Sequence, residues 1–313
     1  MQLVFQSRAM LKVLEQARRF ARTGATVLIC GESGVGKELV ARMLHTESPR
    51  SLEPYCRVNC AALAESLIES ELFGHEAGAF TGALTRRTGK FEAAARGSLF
   101  LDEISEVAPT VQGKLLRVLE EAEFERVGGN DLLPMQARVI AATNRSLAEL
   151  VDGGEFRADL FYRLDVLRLE IPALRDRKDD IPILAQHFVE RFRGDSLHGV
   201  RGFKPAAIRR LADYHWPGNV RQLRNVVHRA CVVAEQDLID EADLKSLETH
   251  VADEHPVSLP FDSMSLAEIE RQVILQRLEH CRGNKTAAAA ALGVTAKTLR
   301  NKITEYRRLG YAS

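Results

Sequence analysis

The stretch Gly31-Glu32-Ser33-Gly34-Val35-Gly36-Lys37-Glu38 joins a β-branched apolar run, Thr26-Val27-Leu28-Ile29-Cys30, to a segment from Glu38 to His45 whose apolar residues recur at helical spacing. A Gly-rich turn between a strand and a helix presents backbone N–H groups and the positive end of the helix dipole to an anion. Gly31, Gly34 and Gly36 permit close backbone approach to phosphate, and Lys37 closes a G-x-x-x-x-G-K spacing that reaches the outer phosphates of a nucleotide. Glu38 stands where a Ser or Thr usually helps to hold magnesium. Downstream, Ser98-Leu99-Phe100-Leu101-Asp102-Glu103 is an apolar strand that ends in two acids. Ligands of open α/β sheets bind at the carboxyl ends of strands, which places Asp102 to hold Mg2+ and Glu103 to orient or deprotonate an attacking water. Such acids are ordinarily helix caps; a phosphate loop upstream is what favours chemistry here.

The elements that must carry these residues alternate. An apolar stripe over residues 7–22 (Met10, Leu11, Val13, Leu14, Ala17) predicts an amphipathic helix before the first strand. Tyr55-Cys56-Arg57-Val58-Asn59 predicts a second strand, and a helix follows from Ala61 to Glu71. Pro109 to Glu121 reads as a helix, residues 125–131 as a Gly-turned hairpin, and Ala137 to Asn144 as a buried strand ending on Thr143 and Asn144. A helix near Phe156 carries Arg157 and Arg163, and Val166 to Ile171 is a further strand. Strands alternating with helices predict a three-layer α/β core with a parallel sheet. Beyond Pro172 only helices are expected: residues 180–192, 204–214 and 219–235 form a small helical domain, with Asn219 as the N-cap of the last. Leu72 to Ala83 has little periodicity and leaves Phe80 among small residues, either offered on a loop or tucked beneath it.

Bulk properties bound the class. A chain of 313 residues holds roughly two domains or slightly more at ~100–200 residues each. Its net charge is zero but unevenly distributed: residues 265–313 carry nine Lys and Arg against four Asp and Glu, behind an acidic segment at 235–262. A basic tail on a neutral body points to a nucleic-acid module. Five Cys without a C-x-x-C pair predict reduced thiols rather than a disulfide framework or a zinc site. The N-terminus lacks a signal-peptide pattern and no run nears the ~18 apolar residues needed to span a membrane, so a cytoplasmic protein is expected. Within the tail, a helix from Ser265 to about Cys281 precedes two short helices, Lys285 to Leu292 and Thr295 to Tyr306, parted by Gly293-Val294. That is the helix-turn-helix pattern, and Lys297, Thr298, Arg300, Asn301 and Lys302 on its second helix suit bases and phosphates.

With these residues assembled, the chain resembles the bacterial sigma-54-dependent transcription activators, or enhancer-binding proteins, of the AAA+ class. The most specific piece is Gly78-Ala79-Phe80-Thr81-Gly82-Ala83, the family's GAFTGA loop, identical here. The resemblance implies that this loop contacts the sigma factor and that Glu38 after the phosphate-loop Lys is the family's habit. It further implies that Asp102 and Glu103 are the Walker B pair, Asn59 the switch residue that pairs with that Glu, Asn144 sensor I and Arg221 sensor II. Arg157 and Arg163 match arginine fingers that act across a subunit boundary, and the tail matches a Fis-type DNA-binding domain. Val35 departs from the usual Thr and Asp165 from the usual Asn.

The implied architecture is an AAA+ core over residues 1–172, a helical lid over 173–247, a linker over 248–264 and a helix-turn-helix domain over 265–313. The implied activity is ATP hydrolysis with Mg2+ by a ring, a hexamer, that remodels the closed sigma-54 RNA polymerase complex from upstream enhancer sites, where the tail binds DNA as a dimer. Only about six residues precede the first helix, so regulation in cis by a receiver domain is not expected unless the chain is cut from a longer one, and a regulator acting in trans is the alternative. The competing class is a DNA-binding repressor or scaffold whose ATP site sets only its oligomeric state.

Overall fold

A computed structural model describes residues 3–62, 65–196, 198–244 and 247, and in the C-terminal stretch residues 270, 271, 274, 277, 285, 288, 289 and 293–308. The linker expected at 248–264, and much of what was expected to be helical between 265 and 292, lies outside the described residues. The chain divides into two units, Met1–Leu247 and Glu248–Ser313.

In the first unit, helix α1 (Arg8–Ala21) starts on Ser7, whose hydroxyl accepts the Met10 N–H at 3.2 Å. Strand β1 (Val27–Cys30) and helix α2 (Lys37–Thr46) follow, then β2 (Tyr55–Asn59), α3 (Glu65–Phe73), α4 (Lys90–Ala93) and β3 (Ser98–Asp102). The core continues through α5 (Pro109–Glu121), β4 (Arg138–Thr143), α6 (Leu147–Asp152), α7 (Ala158–Leu164) and β5 (Leu167–Glu170). The described strands make a five-stranded sheet in the order β2-β3-β4-β1-β5, and every pairing is parallel.

Period-two alternation explains why these runs read as continuously apolar. Leu28, Leu99, Leu101, Val139 and Ala141 face a core completed by Leu115, Val118 and Leu160. Their neighbours Val27, Ile29, Phe100, Ile140 and Ala142 face the opposite core with Leu14, Ala17, Val40 and Leu44. Both faces of a parallel sheet must be covered, and β1, β3 and β4 contribute to both cores while the edge strand β5 contributes Leu167 and Leu169 to the second alone. The carboxyl ends of β1, β3 and β4 therefore meet at one edge, where a ligand is reached from the turns that follow them.

The lid packs α8 (Asp180–Phe192), α9 (Pro205–Asp213) and α10 (Asn219–Val233) around Ile181, Leu184, Phe188, Leu211, Trp216 and Leu223. Contrary to the expectation of helices only, Gly202 and Phe203 pair in parallel with Leu238 and Ile239. Two-residue strands are too short for periodicity to reveal. The helix expected at 61–71 is a 3-10 turn, Cys60–Ala62, and then α3, which runs on to Phe73. The hairpin expected at 125–131 has its strands just outside, at Glu123–Phe124 and Leu133–Pro134, with the glycines in the connecting loop.

In the second unit, helix α11 (Ala296–Arg308) follows a turn in which Gly293 has φ +66° and the Thr295 hydroxyl accepts the Thr298 N–H. Leu299, Ile303 and Tyr306 bury against Ile274, Ala288 and Ala289. No helix among the described residues is long and apolar enough to cross a membrane.

Trp216 is fully buried, holds φ +51° and donates its indole N–H to the Leu211 carbonyl at 2.7 Å. Trp216→Ala is expected to cost about 3–5 kcal/mol through the cavity it leaves. Urea unfolding followed by circular dichroism measures that loss.

Candidate functional site

Two glycines, Gly34 and Gly36, shape the phosphate loop through left-handed backbone conformations. Gly34 (φ +79°) passes so close to the start of α10 that an added Cβ would sit 2.5 Å from the Gly218 carbonyl oxygen. Gly36 (φ +109°) has open space where a Cβ would be, so its conformation rather than crowding selects glycine. Lys37 is buried at 6% exposure; its Nζ donates to the Gly31 carbonyl at 2.9 Å and lies 3.2 Å from Glu103 Oε1. Glu38, at the other side of the helix start, pairs with Arg57 of β2.

Asp102 and Glu103 leave β3 together. Burial, reinforced by the Glu103 carboxylate, raises the Asp102 pKa above the usual carboxylate value. Glu103 sits at φ +54°, a left-handed conformation that costs a non-glycine residue about 1–3 kcal/mol and gathers at functional sites. Its second oxygen accepts the Asn144 backbone N–H at 3.1 Å, so the carboxylate is held between β1's loop and the end of β4. Asn59 is the register partner of Asp102, but its side chain accepts the Ala61 N–H at 3.0 Å and is not paired with Glu103 here. The next residue, Cys60, feels both acids: burial, then Asp102 and Glu103, push its thiol up to about 12.

A grip between the lid and the phosphate loop was not legible beforehand. Asn219, expected as an N-cap, makes no capping bond. It is fully buried at φ +48°, accepts the Leu174 N–H at 2.7 Å, and donates to Glu32 Oε2 and the Ser33 carbonyl, each at 3.0 Å. Arg175 pairs with Glu32, and Arg221 donates to the Ser33 hydroxyl at 3.0 Å. The buried Arg177 donates to the Val35 carbonyl at 2.8 Å. These partners lie more than a hundred residues apart in sequence, which no local pattern encodes; an Asn directly after Pro-Gly was the one available signal.

Between loop and lid lies a cavity of about 270 Å³. It is lined by the polar Lys37, Asp102, Glu103 and Arg221 and by the apolar Val4, Phe5, Leu184 and Phe188, the mixture expected of a nucleotide site. Arg157 and Arg163 do not line this cavity. Arg157 stands at the N-cap position of α7 without a capping bond and pairs with Asp159, while Arg163 donates twice to the Leu119 carbonyl at 2.9 and 2.7 Å. Of the two departures noted in the sequence, the Val35 side chain is buried in core packing and Asp165 pairs with Arg168.

Gly78-Ala79-Phe80-Thr81-Gly82-Ala83 forms a loop closed by the Gly78 N–H to Ala83 carbonyl bond at 2.8 Å. Its stem is an antiparallel pair, Gly74–His75 with Arg87–Thr88, braced by the buried Arg126, which bonds Glu76 and Glu92. Phe80 is 39% exposed and belongs to no core cluster; its ring meets the edge of His75 at 5.0 Å. The ring is thus both offered to solvent and held on one side. On α11, Lys297, Thr298, Arg300 and Asn301 are exposed together, while Lys302 bonds Glu270 at 2.8 Å.

Residues 3–170 match the family model described as Sigma-54 interaction domain, more than half of the chain. The chain belongs to that family. Residues 175–258 match an AAA+ ATPase lid domain, and 265–306 the Fis family of bacterial regulatory proteins. Among curated relatives of this sigma-54 activator are transcriptional regulatory protein ZraR of Escherichia coli, 49% identical over 96% of this chain and 68% of that one, and regulatory protein AtoC of the same species, 45% identical over 97% and 67%. NtrX from Brucella abortus, solved in complex with ATP, superposes with a TM-score of 0.73 at 34% identity, covering 97% of this chain and 69% of that one. The chain is accordingly an AAA+ nucleotide-binding ATPase and a transcriptional regulator with a Fis-type helix-turn-helix.

The grip on the phosphate loop has a pH signature. Hydrogen bonding from Arg175, with Asn219 adding to it, lowers the Glu32 pKa below its ordinary value of 4.5. A carboxylate with a depressed folded-state pKa contributes stability above its unfolded value and loses it as pH falls through the lower, folded one. Stability of the parent should therefore fall as pH drops below about 4.5, and Glu32→Gln should flatten that limb; urea midpoints from pH 6 to pH 3 compare the two.

Proposed function

We propose that this chain works as a homo-oligomeric ring, a hexamer, that hydrolyses ATP to drive the Phe80 loop against sigma-54 bound to RNA polymerase. The observation that carries it is the pairing of a braced stem with a half-exposed aromatic tip that no core claims. Upstream enhancer DNA would be read by Lys297, Thr298, Arg300, Asn301 and Lys302, from a dimer whose half-sites lie about 34 Å apart.

In the ATPase the geometry around Lys37, Asp102 and Glu103 supports the following roles. Backbone N–H groups from Glu32 to Glu38 at the N-terminus of α2 face the phosphates, and Lys37 meets the outer ones. Asp102 is the residue that would hold Mg2+; its raised pKa fits a carboxylate that gains a cation when the site fills, and the ion would neutralise phosphate charge there. Glu103 orients the attacking water, Asn144 reports on the γ-phosphate end and Arg221 on the lid. Arg157 and Arg163, away from their own cavity, supply charge to the neighbouring subunit's site. Movement of Glu103 would reach the loop through Asn59, which is in register with Asp102, and on through the Cys60–Ala62 turn into α3.

Lys37→Ala is expected to abolish nucleotide binding, and Glu103→Ala to bind ATP without hydrolysing it. Arg157→Ala should slow hydrolysis on the order of 10³-fold, and mixing it with Glu103→Ala should restore part of the rate. Phosphate release across mixing ratios checks this, and no gain at any ratio would mean the fingers do not act in trans.

Phe80→Ala should keep its melting point, since exposed changes usually stay within ~0.5 kcal/mol, and should keep ATP turnover while losing sigma-54 contact. That contact should be tightest with a transition-state analogue of ATP. Early melting together with lost turnover would return Phe80 to a packing role.

A further inference from the structure

The resting position of Phe80 has a definable cause. Gly78 (φ +83°) and Gly82 (φ +106°) flank the tip, and neither has an atom within 4 Å of where a Cβ would stand. Crowding therefore does not select glycine at either point, while the Gly78 N–H is bonded to the Ala83 carbonyl and the Gly82 carbonyl accepts the Leu84 N–H. The Phe80 ring meets the ring of His75, at 5.0 Å between centroids and 67° between planes. That edge-to-face geometry is the one the quadrupoles of two rings favour.

His75 is itself immobilised. Its backbone pairs with Arg87 and bridges to Val127, its side chain is 8% exposed, and its Nδ1 lies 2.7 Å from the hydroxyl of Ser70, which is 3% exposed. Ser70 belongs to α3, the helix that runs from the nucleotide edge of the sheet towards the loop. The imidazole plane is thus set by a buried hydroxyl on the element best placed to relay nucleotide state.

We propose that His75 is a positioning residue for the sigma-54 contact: its ring, oriented by Ser70, latches Phe80 in the lowered position, and raising the loop breaks this edge contact. This rests on the assignment of Phe80 as the sigma-54 contact. The latch makes no bond to sigma-54, so it acts on the lowered state alone. An aromatic edge contact biases a two-state equilibrium by about two- to ten-fold. Its removal therefore tightens binding without nucleotide by that factor and leaves the raised state alone.

Fluorescently labelled sigma-54 is titrated with parent, His75→Gln, His75→Phe and Ser70→Ala chains, without nucleotide and with ADP–aluminium fluoride. Glutamine retains a polar group for Ser70 but has no ring, whereas phenylalanine retains the ring edge and loses the bond. For His75→Gln, affinity without nucleotide should rise about two- to ten-fold while affinity with the analogue holds, narrowing the ratio between states. His75→Phe and Ser70→Ala, which both keep a ring but lose the bond that orients it, should each narrow the ratio less than His75→Gln does. An unchanged ratio in both His75→Gln and Ser70→Ala overturns the latch, as does an equal loss of affinity in both states, the mark of a purely structural role. Phe80→Ala with undiminished affinity in the analogue state would instead remove the loop assignment on which the latch depends.

Discussion

A buried ammonium has to be paired, and at Lys37 that requirement organises the site. The side chain is almost fully enclosed, and its charge is met by a loop carbonyl and by Glu103. A phosphate oxygen is a competitor for the same cation. Its arrival would free one oxygen of the very carboxylate proposed to handle water, while the other oxygen remains on the Asn144 N–H. Ligand binding and arming of the base become one exchange of partners. The strained backbone of Glu103 suits a residue that must change partners rather than settle with one.

Both proposed finger residues are moored to α5, the helix that leaves the sheet just after Glu103. Arg163 bonds the Leu119 carbonyl near its end, and the Arg157 N–H donates to Gln112, whose amide in turn bonds Val107 and Glu155. α5 therefore anchors Arg157 near the end that follows Glu103 and Arg163 near its far end. A ring built this way would pass strain from site to site through α5.

The parallel core was legible because buried strands advertise themselves as apolar runs, and the phosphate loop and Asp102-Glu103 because their chemistry is local in sequence. Phe80 was legible as an anomaly, an aromatic with no periodic partners, though neither alternative alone describes a ring that is half exposed and half held. Asn219 and Glu32 were legible only as a helix cap and a phosphate-loop residue, and Arg175 and Arg177 not at all, since their roles depend on contacts between the first strand's turn and the lid, far apart along the chain. Asn59 illustrates a different limit. Its place beside Asp102 follows from strand register, yet which group its amide bonds is a rotamer choice that neighbours decide.

The lid's single indole has a practical consequence. Trp216 is the chain's only tryptophan, stacked edge-on against Tyr214 and three residues before the Asn219 that grips the phosphate loop. Tryptophan emission from the native protein consequently arises from one place, the joint between lid and loop. This chain carries its own optical probe of lid movement, with no label to perturb it and, on excitation at the red edge where tyrosine does not absorb, no second indole to subtract.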